Sequence, residues 1–301
     1  MPMPGLTIAC LAPMPLNRAS VKSTAAMATF VLLWGSAAIF TRWALDHSSV
    51  MAILILRYGL ALGALLLLGL SARRWLPQAG SRWQVAATGL VLIAGYSVFY
   101  FQAMAHGITP GLLATLLGIQ PILTLLLTER RFSAVRLLGL LVSLCGLTLV
   151  VWQSLLLTRL SLAGLLCAGA ALLCMTVGAL MQKRIQQPPS QVLPLQYLVT
   201  LAVYLCLLPW HPWQLQIGPG VILPLLYLGL VISVGAQLLL YRLISSGNLV
   251  NVTSLFYLVP VVTVVLDYLI LGNALPALSL LGMCAVLAGL ALVFAPGKAP
   301  A

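Results

Sequence analysis

The chain has 301 residues, of which 62% are hydrophobic and only 6% are charged, and its formal net charge is +12. Soluble domains carry about 25% charged residues, so the composition excludes a soluble globular protein and indicates that most of the chain faces lipid. The basic residues are scattered between apolar segments rather than gathered in one patch, which argues against nucleic acid as a partner.

Ten apolar segments are each long enough to cross a membrane as a helix, which takes about 20 residues. They predict helices at 25–44, 50–70, 84–105, 108–127, 135–152, 160–181, 192–209, 221–243, 248–270 and 275–294. Because the connections are short, helices adjacent in sequence should be antiparallel neighbours in space. Residues 1–22 lack a basic residue ahead of their apolar patch, so we expect a disordered cytoplasmic tail rather than a signal peptide.

The two halves of the chain repeat each other. Segment 137–150, LLGLLVSLCGLTLV, returns as 280–293, LLGMCAVLAGLALV. The shared glycines lie seven residues apart and therefore on one helix face, and a glycine face lets a neighbouring helix approach closely in lipid. Further pairs keep the same order, including Gly107 with Gly247 and Pro121 with Pro260. We therefore predict two five-helix repeats, 25–152 and 160–294.

The positive charges predict the orientation of these repeats, since Lys and Arg stay on the cytoplasmic side. Two basic residues, Arg42 and Arg159, fall on one side, and twelve fall on the other: Arg18, Lys22, Arg73, Arg74, Arg82, Arg130, Arg131, Arg136, Lys183, Arg184, Arg242 and Lys298. Both termini should therefore be cytoplasmic. Five helices per repeat make the second repeat inverted, which is typical of secondary transporters with a substrate site near the midplane.

Polar and aromatic residues within the apolar segments are candidates to line that site, because a polar group in lipid costs free energy unless it faces partners or water. Pairs four residues apart share a helix face. The candidates are Trp34, Tyr96, Tyr100, Gln120, Gln237, Tyr241, Asn251 and Tyr257. Amides, hydroxyls and aromatic rings suit a zwitterionic solute with an apolar side chain. The alternative is structural hydrogen bonding between helices.

Two prolines and one arginine are candidates for bending or gating. Pro121 and Pro260 fall at mirror positions, and a proline removes a backbone hydrogen bond and bends a helix; ordinary packing kinks are the alternative. Arg57 is the one clear charge inside an apolar segment. Its side chain either snorkels to the outer surface or binds a carboxylate, whether of Asp267, of a gate or of the substrate.

Enzymatic chemistry has no support in the sequence. Nucleotide-binding, zinc-protease and serine-hydrolase motifs do not occur, and the six cysteines form no CxxC pair. No carboxylate or histidine reaches the middle of an apolar segment, whereas proton-coupled carriers usually keep a titratable group at depth. We therefore expect no catalysis, no metal and no cofactor, and facilitated rather than proton-coupled movement of the solute.

The order of motifs resembles EamA-type modules of the drug/metabolite transporter superfamily over about 25–294. The residues that carry the resemblance are Trp34-Gly35-Ser36, Arg57-Tyr58, Pro121, Glu129, Pro260 and the glycines Gly139, Gly146, Gly282 and Gly289. The sequence departs from the family at Asn273, where a glutamate is common. The whole chain is most similar to the branch that exports aromatic amino acids.

This resemblance and the residue patterns together predict an all-α polytopic membrane protein with ten transmembrane helices in two inverted five-helix repeats. We expect a monomeric secondary transporter in the bacterial cytoplasmic (inner) membrane that exports small metabolites, above all aromatic amino acids, by alternating access. The alternatives are a multidrug or nucleotide-sugar transporter of the same fold and a membrane scaffold without transport. A membrane-embedded enzyme would need paired intramembrane acids or histidines.

Overall fold

The computed structural model describes residues 18–72, 76–130, 132–152, 156, 161–266, 268–269 and 276–295. In these ranges the chain forms ten long helices: α1 Arg18–Leu45, α2 Val50–Ala72, α3 Ala79–Ala105, α4 Pro110–Thr128, α5 Ala134–Val150, α6 Leu162–Lys183, α7 Pro189–Trp210, α8 Pro219–Ser246, α9 Leu249–Leu266 and α10 Ala277–Phe294. Nine contain spans long and apolar enough to cross a membrane, and α5 has 17 residues. The ten-helix prediction is confirmed.

Helix ends differ from the predicted ones by a few residues. The helix α1 begins at Arg18, inside the segment for which we expected a tail, while residues 1–17 lie outside the described ranges. The helix α3 begins at Ala79, because its polar first turns continue the helix beyond the apolar segment. Asp267, in the predicted last turn of α9, also lies outside the described residues.

The helices α5 and α10 pack together through the repeated glycines. A Cβ atom on Gly139 would lie 2.6 Å from the carbonyl oxygen of Gly289, and one on Gly282 would lie 2.6 Å from that of Gly146. Real Cβ atoms do not come that close, so only glycine allows this approach. Since residue 139 meets 289 while 146 meets 282, the two helices run antiparallel, as inverted repeats require.

Connections at both ends of the bundle repeat the same symmetry. At one end the α1–α2 connection pairs with the α7–α8 connection, where Ser49 N donates to the carbonyl of Gln214 at 2.9 Å. At the other end the α6–α7 connection meets the α2–α3 connection, where Gln78 N donates to Gln187 Oε1 at 2.9 Å. We name these the outer and the inner end, following the predicted orientation.

Four helices are locally irregular, at equivalent places in the two repeats. A π-helical stretch occupies Leu90–Gly95 in α3 and Tyr227–Ala236 in α8. The helix α4 is interrupted just before Gln120, and α9 tightens to a 3₁₀ turn at Leu255–Tyr257. The first interruption lies just ahead of Pro121 and the second just ahead of Pro260. A proline ring clashes with the carbonyl four residues earlier. The π-helical stretches have no such signal in the sequence.

Candidate functional site

A cavity of about 650 Å³ lies between the two repeats. Its walls come from both repeats, and it extends towards the outer end, where it is lined by Thr41 late in α1, Pro110 at the start of α4 and Pro276 just before α10. Irregular backbone borders it, because Leu92 and Ile232 lie in the two π-helical stretches. π-turns are frequent at functional sites.

Six predicted site residues line this cavity: Trp34, Arg57, Tyr96, Tyr100, Gln237 and Pro260. Tyr96 and Tyr100 follow the π-helical stretch of α3 and lie against each other, with ring centroids 5.6 Å apart. The helix α3 thus presents two phenol rings on one face, as their spacing predicts.

Close packing of α9 on α1 positions the indole of Trp34. A Cβ atom on Gly35 would lie 3.1 Å from the carbonyl oxygen of Val259, and Thr263 Oγ1 donates to the carbonyl of Gly35 at 2.8 Å. The ring of Trp34 packs edge-on against Phe256 at 5.7 Å between centroids. Glycine next to tryptophan therefore lets α9 supply an aromatic neighbour.

Tyr241, which we predicted to bind substrate, instead takes part in a buried hydrogen-bond network away from the cavity. Its hydroxyl donates to Gln196 Oε1 at 2.7 Å, and Gln196 Nε2 donates to Gln182 Oε1 at 3.0 Å. All three side chains are buried. The network joins α6, α7 and α8, which corresponds to the structural alternative for this residue.

Four other predicted residues also do not line the cavity in this conformation: Gln120, Pro121, Asn251 and Tyr257. Gln120 and Tyr257 are almost fully buried. Neither Gln120 Oε1 nor the hydroxyl of Tyr257 has a hydrogen-bond partner among the described residues. Pro121 is buried beside Gln120. Thus only Pro260 of the two mirrored prolines borders the cavity.

Several cavity residues were not among our candidates, including Thr41, Ser97, Phe256 and Ser279. A phenylalanine or a single hydroxyl in an apolar helix carries no distinguishing signal in sequence. Ser97 is one of the polar residues of α3, directly after Tyr96, and its Oγ lies 2.7 Å from the hydroxyl of Tyr58.

Arg57 is held towards the middle of the bundle. Its Nε donates to Ser233 Oγ at 2.7 Å, and Ser233 lies halfway along α8. The guanidinium carbon is 5.2 Å from the ring centroid of Tyr58. Within the described residues no carboxylate oxygen lies within 4.0 Å of its nitrogens. Arg57 therefore does not snorkel outward, and it contributes to the cavity wall a charge that no described carboxylate pairs with.

The inner end is closed by a polar network around Arg136, at the start of α5. Its Nη1 donates to Glu129 Oε1 at 2.5 Å, and its Nη2 donates to Asn248 Oδ1 at 2.9 Å and to Asn251 Oδ1 at 2.5 Å. Glu129 and Arg136 belong to the first repeat, whereas Asn248 caps the start of α9 and Asn251 lies in its first turn, in the second repeat. Asn251 therefore contacts a neighbouring charge rather than the cavity.

The sequence profile of the EamA-like transporter family matches the chain twice, at residues 22–152 and 162–295. The chain belongs to the EamA-like transporter family. It is therefore a multi-pass membrane transporter and not an enzyme. Among curated proteins, none matches the sequence significantly.

A solved structure titled "Crystal structure of protein" is similar to this EamA-like transporter with a TM-score of 0.75. The two sequences are 21% identical, and the match covers 91% of this chain and 97% of the other. At that identity the similarity shows the fold alone.

Proposed function

We propose that this EamA-like transporter exports aromatic amino acids and related small metabolites across the cytoplasmic membrane by alternating access, with both termini in the cytoplasm. The observation that carries the proposal is the cavity between the repeats. Its volume of about 650 Å³ falls within the range of roughly 300–1,000 Å³ typical of small-molecule sites. One metabolite of the size of an amino acid fits such a space.

The chemistry of the wall supports an amphipathic solute. The rings of Trp34, Tyr96, Tyr100 and Phe256 offer apolar area, while Gln237 offers an amide. Aromatic pairs favour offset or edge-on contacts with other rings. A solute with an aromatic side chain and a polar end therefore finds partners for both parts.

Alternating access is supported by the unequal ends of the bundle. The cavity extends to the outer end, while the network around Arg136 joins the two repeats at the inner end. Export requires the opposite arrangement in turn, with this network broken and the outer end closed. Inverted repeats are a common basis for such alternation, because one repeat can rock against the other around a fixed substrate site.

Facilitated movement is supported by the absence of titratable acids or histidines among the described residues that line the cavity. Of the three carboxylates in the chain, Asp46 and Glu129 lie at the ends of the bundle, each paired with an arginine. Asp267 is outside the described residues. A proton that is to drive transport must bind one conformation better than the other, and neither described carboxylate reaches the cavity.

Counterflow in proteoliposomes tests this proposal. Vesicles loaded with unlabelled phenylalanine should take up labelled phenylalanine transiently without a proton or sodium gradient. Ala114 lines the cavity and Ala202 is exposed on the outside of α7, so Ala114→Trp should abolish counterflow while Ala202→Trp preserves it. Counterflow only under an imposed ion gradient would contradict a facilitator, and equal activity of both variants would contradict the cavity as the route.

A further inference from the structure

We infer that the cavity recognises its substrate by a carboxylate bound to Arg57, so that an aromatic carboxylate without an amino group is also a ligand. The inference rests on the proposed function for the route and goes further by naming the charge that the site selects. It assigns the solutes as organic anions or zwitterions and excludes organic cations.

The depth of the guanidinium is the first argument. A charge near the middle of a membrane is costly unless it is paired or faces a wet cavity. Arg57 lies in α2 seven residues after Val50, about 10 Å along the helix axis, and its hydrogen bond to Ser233 directs it to the middle of α8. This placement keeps the charge in the cavity, where a solute can reach it.

The unused donors are the second argument. The Nε atom donates to Ser233, and the face of the guanidinium lies by the ring of Tyr58. The two Nη atoms make no hydrogen bond or ion pair with the described residues. A planar guanidinium offers two parallel N–H donors that match the two oxygens of a carboxylate. Ser233 and Tyr58 thus hold the group while its outer edge stays available.

The charge of the wall is the third argument. Arg57 is the one charged side chain among the described residues that line the cavity. A carboxylate there gains an opposite charge, whereas an ammonium group meets only hydroxyls, an amide and aromatic rings. A solute that carries only an ammonium group is repelled by Arg57. Binding should therefore depend on the carboxylate and depend little on the amine.

Three related competitors test this in counterflow of labelled phenylalanine: unlabelled phenylalanine, phenylpropionate, which lacks the amine, and phenethylamine, which lacks the carboxylate. We expect phenylpropionate to compete within about threefold of phenylalanine and phenethylamine to compete at least about tenfold more weakly, because a lost hydrogen-bonded charge pair costs at least that factor. Equal competition by phenethylamine would overturn the inference.

Substitutions of Arg57 and Ser233 test whether Arg57 causes the preference for a carboxylate. Arg57→Gln should abolish the preference for the carboxylate, and Arg57→Lys should restore it only partly, since lysine lacks the bidentate fork. Ser233→Ala keeps the charge but releases Nε, so it should weaken phenylpropionate and leave phenethylamine unchanged. A preference that persists unaltered in Arg57→Gln would contradict the assignment of Arg57.

Asp267→Asn is the control for the protein carboxylate that the sequence suggests as a partner of Arg57. The preference should be the same in this variant as in the native chain. If the native protein accepts phenethylamine and phenylpropionate equally and Asp267→Asn alone creates the preference, Arg57 is already neutralised in the protein and the inference is wrong.

Binding measured as a thermal shift of the purified protein separates this inference from the proposed function. Stabilisation by phenylpropionate in the native chain, lost in Arg57→Gln, supports the anion site even where phenylalanine counterflow fails. Phenylalanine counterflow with equal stabilisation by phenethylamine and phenylpropionate leaves the function standing and overturns the anion site.

Discussion

At the scale of single residues, two kinds of charge contact differ in their surroundings. The pair of Arg42 and Asp46 at the outer end is exposed, with 60% and 49% of the side chains accessible, and exposed pairs contribute about 0–1 kcal/mol. The pair of Arg136 and Glu129 is largely covered, at 18% and 22%, and also binds two asparagines. Hydrogen bonds to charged groups contribute about 1.5–3 kcal/mol each, so the inner network has more influence on conformation.

Arg136→Ala should therefore raise the population in which the inner end is open. A cysteine at the buried position Gln120 reports this opening, measured as its rate of reaction with a maleimide in inside-out vesicles. We expect at least about a fivefold increase over the same reporter with Arg136 intact, since removal of these bonds amounts to more than 1 kcal/mol. Arg42→Ala is the matched control and should leave the rate unchanged; equal rates in both variants would mean that helix packing closes the inner end.

The sequence predicts which polar residues share a helix face, but it does not predict which partner each of them meets. A polar residue at depth must meet a partner, water or a solute, and the helical period shows which residues share a face. Gln237 and Tyr241 share a face of α8, yet only Gln237 lines the cavity, because Tyr241 reaches Gln196 on α7. Partners so far apart in the chain follow only from the packed arrangement. The contact between Arg136 and Asn251, 115 residues apart in the chain, likewise follows only from the packing of the helices.

At the scale of helices, length and hydrophobicity were sufficient to predict the ten segments, and repeated glycines predicted the closest packing. The pairing of α5 with α10 depends on glycine at four positions where any side chain would meet backbone atoms. The irregular stretches were predictable only where proline enforces them. The π-helical stretches of α3 and α8 have no such signal in the sequence.

Gly139→Ala should destabilise the protein, because the new Cβ would lie 2.6 Å from the carbonyl oxygen of Gly289. Forcing an extra methyl group into a tight contact costs about 1–3 kcal/mol. Gly63→Ala is the control, since Gly63 in α2 has open space around its Cβ position and alanine favours a helix by up to about 1 kcal/mol. Thermal unfolding in detergent should show a lower midpoint for Gly139→Ala and an unchanged or higher one for Gly63→Ala. The same midpoint in both variants would contradict the role of the glycine contact.

At the scale of the whole molecule, the orientation in the membrane decides to which side the cavity opens. The geometry shows that the cavity extends to one end and that the Arg136 network closes the other. The distribution of Lys and Arg predicts which end faces the cytoplasm, because translocating positive charge is unfavourable. With the predicted orientation, the structure represents a state open to the outside, in which an exporter releases its solute.

Single cysteines introduced into a chain without the native six can test this orientation in intact cells. Gln214 lies in the α7–α8 connection, which pairs with Ser49 at the outer end, and Gln186 is exposed in the α6–α7 connection at the inner end. We expect an impermeant maleimide to label Gln214→Cys in intact cells and to label Gln186→Cys only after the cells are permeabilised. Each variant serves as the control for the other, since both positions are exposed in connections between helices. The reverse pattern would place the Arg136 network on the outer face, so that the cavity would open to the cytoplasm and the structure would show the state that loads solute.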